Sequence, residues 1–302
     1  INFILISMLN RAGFNAKPVL CSTIGHGIPL YPNRTVFNYV IAAVDIDGVK
    51  ILLDASHKYT TLNVLPTSLL NWIGRLISSD ATSEEINLFP TTMSKNQSNL
   101  MVSIDANGNI SGKFRTQKSD YEALKFRENE AQESKENYLD QLESKWSGVQ
   151  IKDYVIENKA TDLNKPIVET FSFTMENKDN ANSERLYINP LLFFTQTKNA
   201  FNQEERVLPI YFGYKKQTKC NVSYEIPEGY AIEFIPKSIL LTISDNVGIF
   251  SYKVLAQENK IQVAATIEMD SAILSAATYQ DLKEFYRKII EKENEKIILK
   301  KL

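Results

Sequence analysis

The stretch that most constrains the fold is Phe37–Ser56, FNYVIAAVDIDGVKILLDAS. Two apolar runs rich in β-branched residues flank Asp45–Gly48. Asp-Gly between such runs predicts a tight hairpin turn, because glycine adopts positive φ at little cost. The second run ends on a single acid, Asp54. We therefore expect two antiparallel strands that place one carboxylate at the end of a sheet.

The residues around this hairpin suggest a family. Ile1–Arg11 predicts the end of a helix that stops at Gly13, and Ala16–Thr23 predicts a strand. This order resembles the transglutaminase-like fold of the papain-type cysteine hydrolases, in which a helix and a strand precede a His motif and an Asp motif. Phe37–Val40 corresponds to the His motif, and Leu52–Ser56 corresponds to the Asp motif.

The resemblance implies a degenerate catalytic triad. In the family a Cys attacks an acyl carbon, the His takes its proton, and the Asp orients the imidazole. Asp54 is retained, Tyr39 stands at the His position, and the Cys position falls just before Ile1, outside the chain. A tyrosine titrates near pH ~10, too high for an efficient general base at neutral pH. We therefore expect a non-catalytic domain, with Asn38, Tyr39, Asp54 and His57 lining its cleft.

An active enzyme is the rival hypothesis. A cysteine acyl-transferase or peptidase would have its nucleophile upstream of Ile1 and would use His57, or a residue of another chain, as base. Cys21 lies inside a predicted strand with no neighbour in sequence that would lower its pKa, so we expect a structural thiol. Cys21 and Cys220 are too few for a disulfide framework and are predicted to be free and buried. His26 belongs to a predicted surface loop.

The pattern changes near residue 90 to short alternating segments separated by turns. Ser119–Lys145 predicts one charged helix, and Tyr279–Glu295 predicts an amphipathic helix. We therefore predict an α+β protein with two domains. Residues 1–90 form a partial, N-terminally truncated transglutaminase-like α/β domain, and residues 91–302 form an antiparallel β-sandwich with covering helices.

The second half also resembles a family of unknown function that follows transglutaminase-like domains in exported bacterial proteins. Its matching marks are Tyr187–Leu191, the turn Ile226–Tyr230, and Leu282–Tyr286. This resemblance implies export to the periplasm or cell envelope. Because Tyr39 stands at the base position, we expect a role in binding or assembly there, with the degenerate cleft as a peptide or glycan groove. The resemblance does not imply a chemical activity.

A carbohydrate-binding sandwich is a further alternative, because the second half contains a cluster of aromatic residues. The cluster comprises Tyr187, Phe193, Phe194, Tyr211, Phe212 and Tyr214. Aromatic residues at strand spacing are more often part of a core, and burial of the whole cluster would count against this alternative.

Charge and motif content narrow the classes of partner. The net charge is −2, with 34 basic and 36 acidic residues, and this balance argues against a nucleic-acid partner. No apolar run is long enough to span a bilayer. The two histidines and two cysteines do not have zinc-site spacing, and no glycine-rich phosphate loop occurs, so no metal or cofactor is predicted. A peptide, a protein or a glycan remains as the expected partner, and the sequence leaves the oligomeric state open.

Overall fold

The computed structural model describes residues 1–302 apart from 32, 34, 177–183 and 244–245. Strands make up 42% of the chain and helices 21%. The described residues contain four α-helices: α1 (Asn2–Arg11), α2 (Asp120–Glu130), α3 (Lys135–Lys145) and α4 (Tyr279–Glu293). The predicted α+β class is therefore wrong, and the protein is largely β. The period-two alternation in most of the chain outweighs its few helical segments.

The first sheet is antiparallel and has the strand order β3-β2-β1-β4-β5. Its strands are β1 (Asn15–Cys21), β2 (Tyr39–Ile46), β3 (Val49–Leu53), β4 (Ile73–Ile77) and β5 (Ser83–Asn87). The β2–β3 hairpin is confirmed. Asp47 and Gly48 have φ of 52° and 81°, as a two-residue turn that follows the strand twist requires.

Different groups of residues pack on the two faces of the first sheet. On one face, Ile6 of α1 packs against Ala16, Ala42 and Val44. The other face encloses a second core that includes Val19, Cys21, Ile41, Leu65, Leu69 and Leu88. Lys50 and Glu84, on the two edge strands, form an ion pair at 2.8 Å. Because edge strands of a flat five-stranded sheet would lie too far apart for this contact, the sheet is strongly curled.

The second sheet has eight strands in the order β14-β15-β16-β12-β6-β7-β9-β8. They are β6 (Ser94–Ile104), β7 (Ile110–Lys118), β8 (Val149–Glu157), β9 (Ile167–Met175), β12 (Lys216–Glu225), β14 (Ile239–Thr242), β15 (Gly248–Gln257) and β16 (Lys260–Met269). All neighbours are antiparallel except β6 and β12, which run parallel at the centre. A purely antiparallel sandwich was therefore a wrong prediction.

The inner face of the eight-stranded sheet carries the main core. The predicted amphipathic helix corresponds to α4, and it buries Leu282, Phe285 and Ile289 in this core. Two small sheets complete this layer: β10 (Arg185–Ile188), β18 (Ile297–Lys301) and β13 (Tyr230–Phe234) form one, and β11 (Ile210–Tyr211) and β17 (Ile273–Leu274) form the other. The second layer is thus a helix with small sheets rather than a matching large sheet.

The helix predicted over Ser119–Lys145 is two helices. α2 ends at Glu130 and α3 begins at Lys135, and the backbone N–H of Asn137 donates to Ser134 Oγ at 3.1 Å. A serine in this position caps a new helix, because it satisfies a backbone donor that lacks an intrahelical partner.

An aromatic junction joins the two large sheets. Tyr59 and Leu70 pack with Tyr121 of α2 and with Tyr214. The Tyr121 and Tyr214 rings stack with their centroids 4.8 Å apart, and the backbone N–H of Leu65 donates to Tyr121 Oη at 3.1 Å. The first sheet ends at residue 87 and the second begins at residue 94, while the division into two domains near residue 90 stays a prediction. No helix in the described ranges is both long and apolar enough to cross a membrane.

Candidate functional site

Asp54 follows the last residue of β3 and is only 7% exposed. Its Oδ1 accepts hydrogen bonds from Asn2 Nδ2 at 2.8 Å, from the Ser56 backbone N–H at 2.8 Å and from Ser56 Oγ at 2.6 Å. Its Oδ2 accepts from Tyr39 Oη at 2.8 Å. Burial raises the pKa of Asp54, but the hydrogen bonds from Ser56, Asn2 and Tyr39 outweigh it and hold the pKa below the ordinary value. The carboxylate is therefore ionised, and hydrogen bonds from the protein stabilise its charge.

Tyr39 opens β2 and lies directly opposite Cys21 of β1. Its hydroxyl donates to Asp54 and also contacts Ser56 Oγ. Burial, the first cause, and the neighbouring Asp54 carboxylate raise the pKa of Tyr39, although the Ser56 contact lowers it. Among the hydrogen bonds of the described residues, none joins a histidine to Asp54. A phenol therefore occupies the place where the resemblance expects an imidazole.

Sequence reasoning missed Asn2 of α1. Its side chain donates to Val40 O at 2.8 Å as well as to Asp54, and its Oδ1 accepts from the Ala55 backbone N–H at 2.8 Å. It is 6% exposed, one turn before the buried Ile6 on the same helix face. A polar residue on the apolar side of a helix was the available signal.

The other predicted cleft residues lie apart from the carboxylate. Asn38 exchanges hydrogen bonds with Thr23: its Nδ2 donates to Thr23 Oγ1 at 2.9 Å, and its Oδ1 accepts from the Thr23 backbone N–H at 2.9 Å. His57 is directed to Glu128 of α2, with Nδ1 and Oε1 3.7 Å apart. His26 Nε2 lies 2.7 Å from the Thr35 carbonyl. The structure thus brings together Tyr39 and Asp54, but not Asn38 and His57.

Both thiols are free and buried, as predicted. Burial, followed by the charge of Asp54, raises the pKa of Cys21 to about 12. Burial, followed by the charge of Glu293, raises the pKa of Cys220 to about 12 as well. A thiol with so high a pKa holds almost no thiolate at neutral pH and is a poor nucleophile.

A groove lies beside Asp54, with a volume of about 520 Å³. Its walls come from α1, from the end of β3, from the following loop, and from a loop that belongs to the second half of the chain. The apolar lining consists of Leu5, Leu53, Leu62 and Leu163, and Thr60 and Asn164 supply polar groups. It can accept an apolar side chain flanked by hydrogen-bonding groups.

Four of the six aromatic residues pack against a core: Tyr214 is buried, and Phe193, Phe194 and Phe212 are half-buried. Phe193 stacks on Trp146 with ring centroids 4.4 Å apart, and Phe194 stacks on Phe114 at 5.7 Å. Tyr214 is 8% exposed, whereas Tyr187 is 46% exposed. The six residues therefore do not form one exposed platform of the kind that sugar rings stack on. In the described ranges, no group of three or more His, Cys, Asp or Glu side chains is placed to hold a metal ion.

Residues 184–299 match the family DUF3858, a domain of unknown function for which a structure has been solved. The crystal structure of a protein from Parabacteroides distasonis, described as a "putative protease", aligns with the chain at a TM-score of 0.52 and 14% sequence identity. That alignment covers 99% of this chain and 43% of the other protein, so the chain spans less than half of that protein's length. No curated protein matches the sequence. At this identity the likeness shows a shared fold and no more.

Proposed function

We propose that this chain is a non-catalytic, transglutaminase-like protein that binds a peptide segment in the groove beside Asp54. The observation that carries the proposal is the set of donors around Asp54. Asn2 and Ser56 donate to its Oδ1 and Tyr39 donates to its Oδ2, so the carboxylate is a structural acceptor and has no imidazole to orient. An aspartate in a triad instead accepts from the ring N–H of the base.

The available groups are poorly suited to acyl transfer. A general base works best when its pKa lies near the working pH, and the pKa of Tyr39 is raised above its ordinary value of 10.0. The Cys21 thiol, with a pKa of about 12, is a poor nucleophile. Neither residue gains reactivity from its neighbours.

The lining of the groove favours a peptide ligand. Leucine side chains provide apolar contacts, and the Asn164 amide can bond a peptide backbone. Thr60 Oγ1 already donates to Asp54 O at 2.7 Å, so it can only accept from a peptide N–H. We further propose that the protein works in binding or assembly at the envelope of a bacterium. This location rests on the family resemblance of the second half.

The first experiment measures peptide hydrolysis and amide exchange by the full-length protein. We expect no turnover above the blank. Turnover abolished by Asp54→Ala and by Tyr39→Phe, but kept in Asp140→Ala at an exposed position, would contradict the proposal. Tyr39→Phe keeps the ring and its packing, so its loss of activity would not be due to unfolding.

The second experiment measures binding of a labelled peptide library by fluorescence anisotropy. We expect peptides with a leucine-like side chain to bind, and Leu62→Ser to weaken them. Leu62 is 59% exposed, so this substitution leaves the core intact. Leu208→Ser, at a residue 71% exposed and outside the groove, is the matched control. Equal binding by both variants would contradict a peptide site in this groove.

A further inference from the structure

The outer face of the eight-stranded sheet, away from α4, is open, and it carries charged and polar side chains together with the exposed apolar side chains of Met101, Val155, Leu240 and Leu255. Leu100, Val102 and Ile104 of β6 point inward and are buried, while the alternating residues Met101 and Ser103 are exposed. Two cavities of about 680 Å³ and 400 Å³ lie on this face and share Met101 and Ser223 in their linings. They therefore join into one shallow trough that crosses the central strands.

Strand register sets two cationic side chains, Lys113 and Lys152, in the lining of this trough, and a third, Arg115, beside it on the same face. Lys113 of β7 and Lys152 of β8 both pair with Ser172 of β9, which lies between them. Two strand spacings separate the two lysines, or about 10 Å. Arg115 follows two residues after Lys113, on the same face. All three are exposed, and no hydrogen bond or ion pair within the described residues engages their charged groups.

Four acids lie on this face; Glu268 accepts from Gln217 Nε2 at 2.7 Å, Glu157 lies on the edge strand β8, and the other two are engaged by hydroxyl groups. Asp153 Oδ2 accepts from Ser172 Oγ at 2.6 Å, and Glu225 Oε2 accepts from Ser103 Oγ at 3.2 Å. The face therefore offers separate positive points among hydroxyl and amide groups, rather than a uniform positive field. Such a pattern complements a ligand whose negative charges are spaced along a hydroxyl-rich chain.

The kinds of side chain on this face exclude two other ligand chemistries. Among the residues of the eight strands that the structure describes, the outward positions carry no aromatic side chain. Neutral sugars and unpaired nucleobases are commonly held by stacking on aromatic rings. Recognition here must come from charge-assisted and neutral hydrogen bonds.

We propose that this trough binds an acidic polysaccharide. Lys113 and Lys152 of the lining, together with the adjacent Arg115, pair with its carboxylate groups, and Ser111 and Ser223 bond its hydroxyl groups. The site lies on a different sheet from Asp54 and is independent of the peptide groove. It is also separate from the aromatic cluster.

The experiment titrates fluorescently labelled polygalacturonate oligomers with the full chain and follows anisotropy. We expect saturable binding that weakens as salt rises from about 0.05 M to about 0.5 M. The variant K113Q/R115Q/K152Q is expected to bind about tenfold more weakly, because it loses three charge-assisted contacts. All three positions are exposed, so thermal unfolding of this variant should match that of the parent.

The control variant K125Q/K198Q/K237Q removes the same charge from exposed lysines outside the trough and is expected to bind like the parent. Equal weakening of both variants would contradict the proposal, as would absence of binding. Neutral dextran, poly-glutamate peptides and vesicles containing anionic lipid complete the set of probes. Binding of any of these as tight as polygalacturonate would overturn an acidic-polysaccharide site in favour of sugar, charge or membrane recognition alone.

Discussion

At the scale of single residues, the hairpin and its terminal acid were predictable, whereas the surroundings of that acid were not. The alternation in Phe37–Ser56 predicts the strands and the position of Asp54. Asn2 reaches that carboxylate across 52 positions of sequence, and no local pattern encodes such a contact. The Tyr39 hydrogen bond depends on register between β2 and the end of β3, which the turn fixes.

We expect Asp54→Asn to lower stability by about 1–3 kcal/mol at pH 7, because a buried acceptor of several hydrogen bonds is lost. The folded pKa of Asp54 lies below its ordinary value of 3.8. Its ionisation therefore adds stability above about pH 4, and this contribution disappears as the pH falls through the folded pKa.

Urea denaturation between about pH 3 and about pH 7 tests this expectation, because this range begins below the ordinary pKa of an aspartate. The difference between parent and variant should shrink toward the acid end. Asp140→Asn, at an exposed position, should differ little from the parent at any pH. A difference for Asp54→Asn that stays constant with pH would contradict the linkage.

At the scale of elements, local sequence signals predicted individual turns and helices, whereas the arrangement of the strands depends on pairing between distant segments. The β2–β3 turn and the α4 stripe are encoded within a few residues, and both are confirmed. Pairing of β6 with β12 joins residues 122 apart, and the alternation of either strand fits a parallel or an antiparallel neighbour equally well. The break between α2 and α3 depends on Ser134, whose capping role competes with an otherwise continuous helical pattern.

The hydrogen bonds that join Asn2 of α1 to the β2–β3 hairpin can be tested with a control on the same helix. Asn2→Ala leaves Val40 O and the Ala55 N–H without their partner, and we expect a loss of about 1–3 kcal/mol. Asn10, near the other end of the same helix, also makes two backbone hydrogen bonds, both with Ala16. Because Asn10 is exposed, water can replace it, and Asn10→Ala should cost less. Chemical denaturation that ranks the two variants in the opposite order would contradict this role for Asn2.

The α4 helix carries a buried acid, Glu293, whose ionisation lowers the stability of the folded protein. Glu293 is 3% exposed, and its Oε2 accepts from the Gln196 backbone N–H at 2.9 Å. Burial raises the pKa of Glu293 from 4.5 to about 7. The folded protein therefore holds this proton more tightly than the unfolded chain does, and stability falls as the pH rises from about 4.5 to about 7.

Glu293→Gln keeps an acceptor for Gln196 and cannot ionise. Above pH 7 we expect this variant to be more stable than the parent by about 1–3 kcal/mol, with a flatter profile below that pH. Glu291→Gln, on the same helix at a side chain 60% exposed, should leave the slope unchanged. Denaturation experiments across this pH range measure the stability of both proteins. Parallel profiles for Glu293→Gln and the parent would contradict the expectation that ionisation of Glu293 destabilises the fold.

At the scale of the whole molecule, composition and alternation predicted a β-rich second half but not its layers. Apolar periodicity shows that one face of each strand is buried, without showing what buries it. Here α4 and two small sheets cover one face, and the other face is open. The predicted α+β class was wrong for the same reason: the apolar pattern did not show that only a few helices cover many strands. The junction through Tyr121 combines residues from both halves, which no single segment predicts.

Tyr121 is expected to couple the unfolding of the two large sheets. Tyr121→Ala removes a side chain that is 2% exposed, and we expect a loss of about 3–5 kcal/mol. Tyr121→Phe removes only the acceptor for Leu65 and should cost about 1 kcal/mol. Tyr31→Ala, at a residue 79% exposed, is the control.

The chain has two tryptophans, and they report on different parts of the molecule. Trp72 precedes β4 of the first sheet, and Trp146 packs in the core of the second sheet. In single-tryptophan variants of the parent, the two denaturation curves should coincide. In Tyr121→Ala they should separate. Coincident curves in that variant would show that other contacts couple the sheets.

The parallel seam between β6 and β12 also sets an order of assembly. The β6–β7, β8–β9 and β15–β16 hairpins close over short loops and can form while a nascent chain is still being made. The seam must wait for residues 216–225, because closing so long a loop costs more chain entropy. Pulse-labelled hydrogen exchange during refolding should protect the hairpin amides first and the seam amides last, and simultaneous protection would contradict this order. Until the seam closes, two half-sheets with bare central edges exist side by side, and this is the stage at which the protein is most exposed to mispairing with another copy.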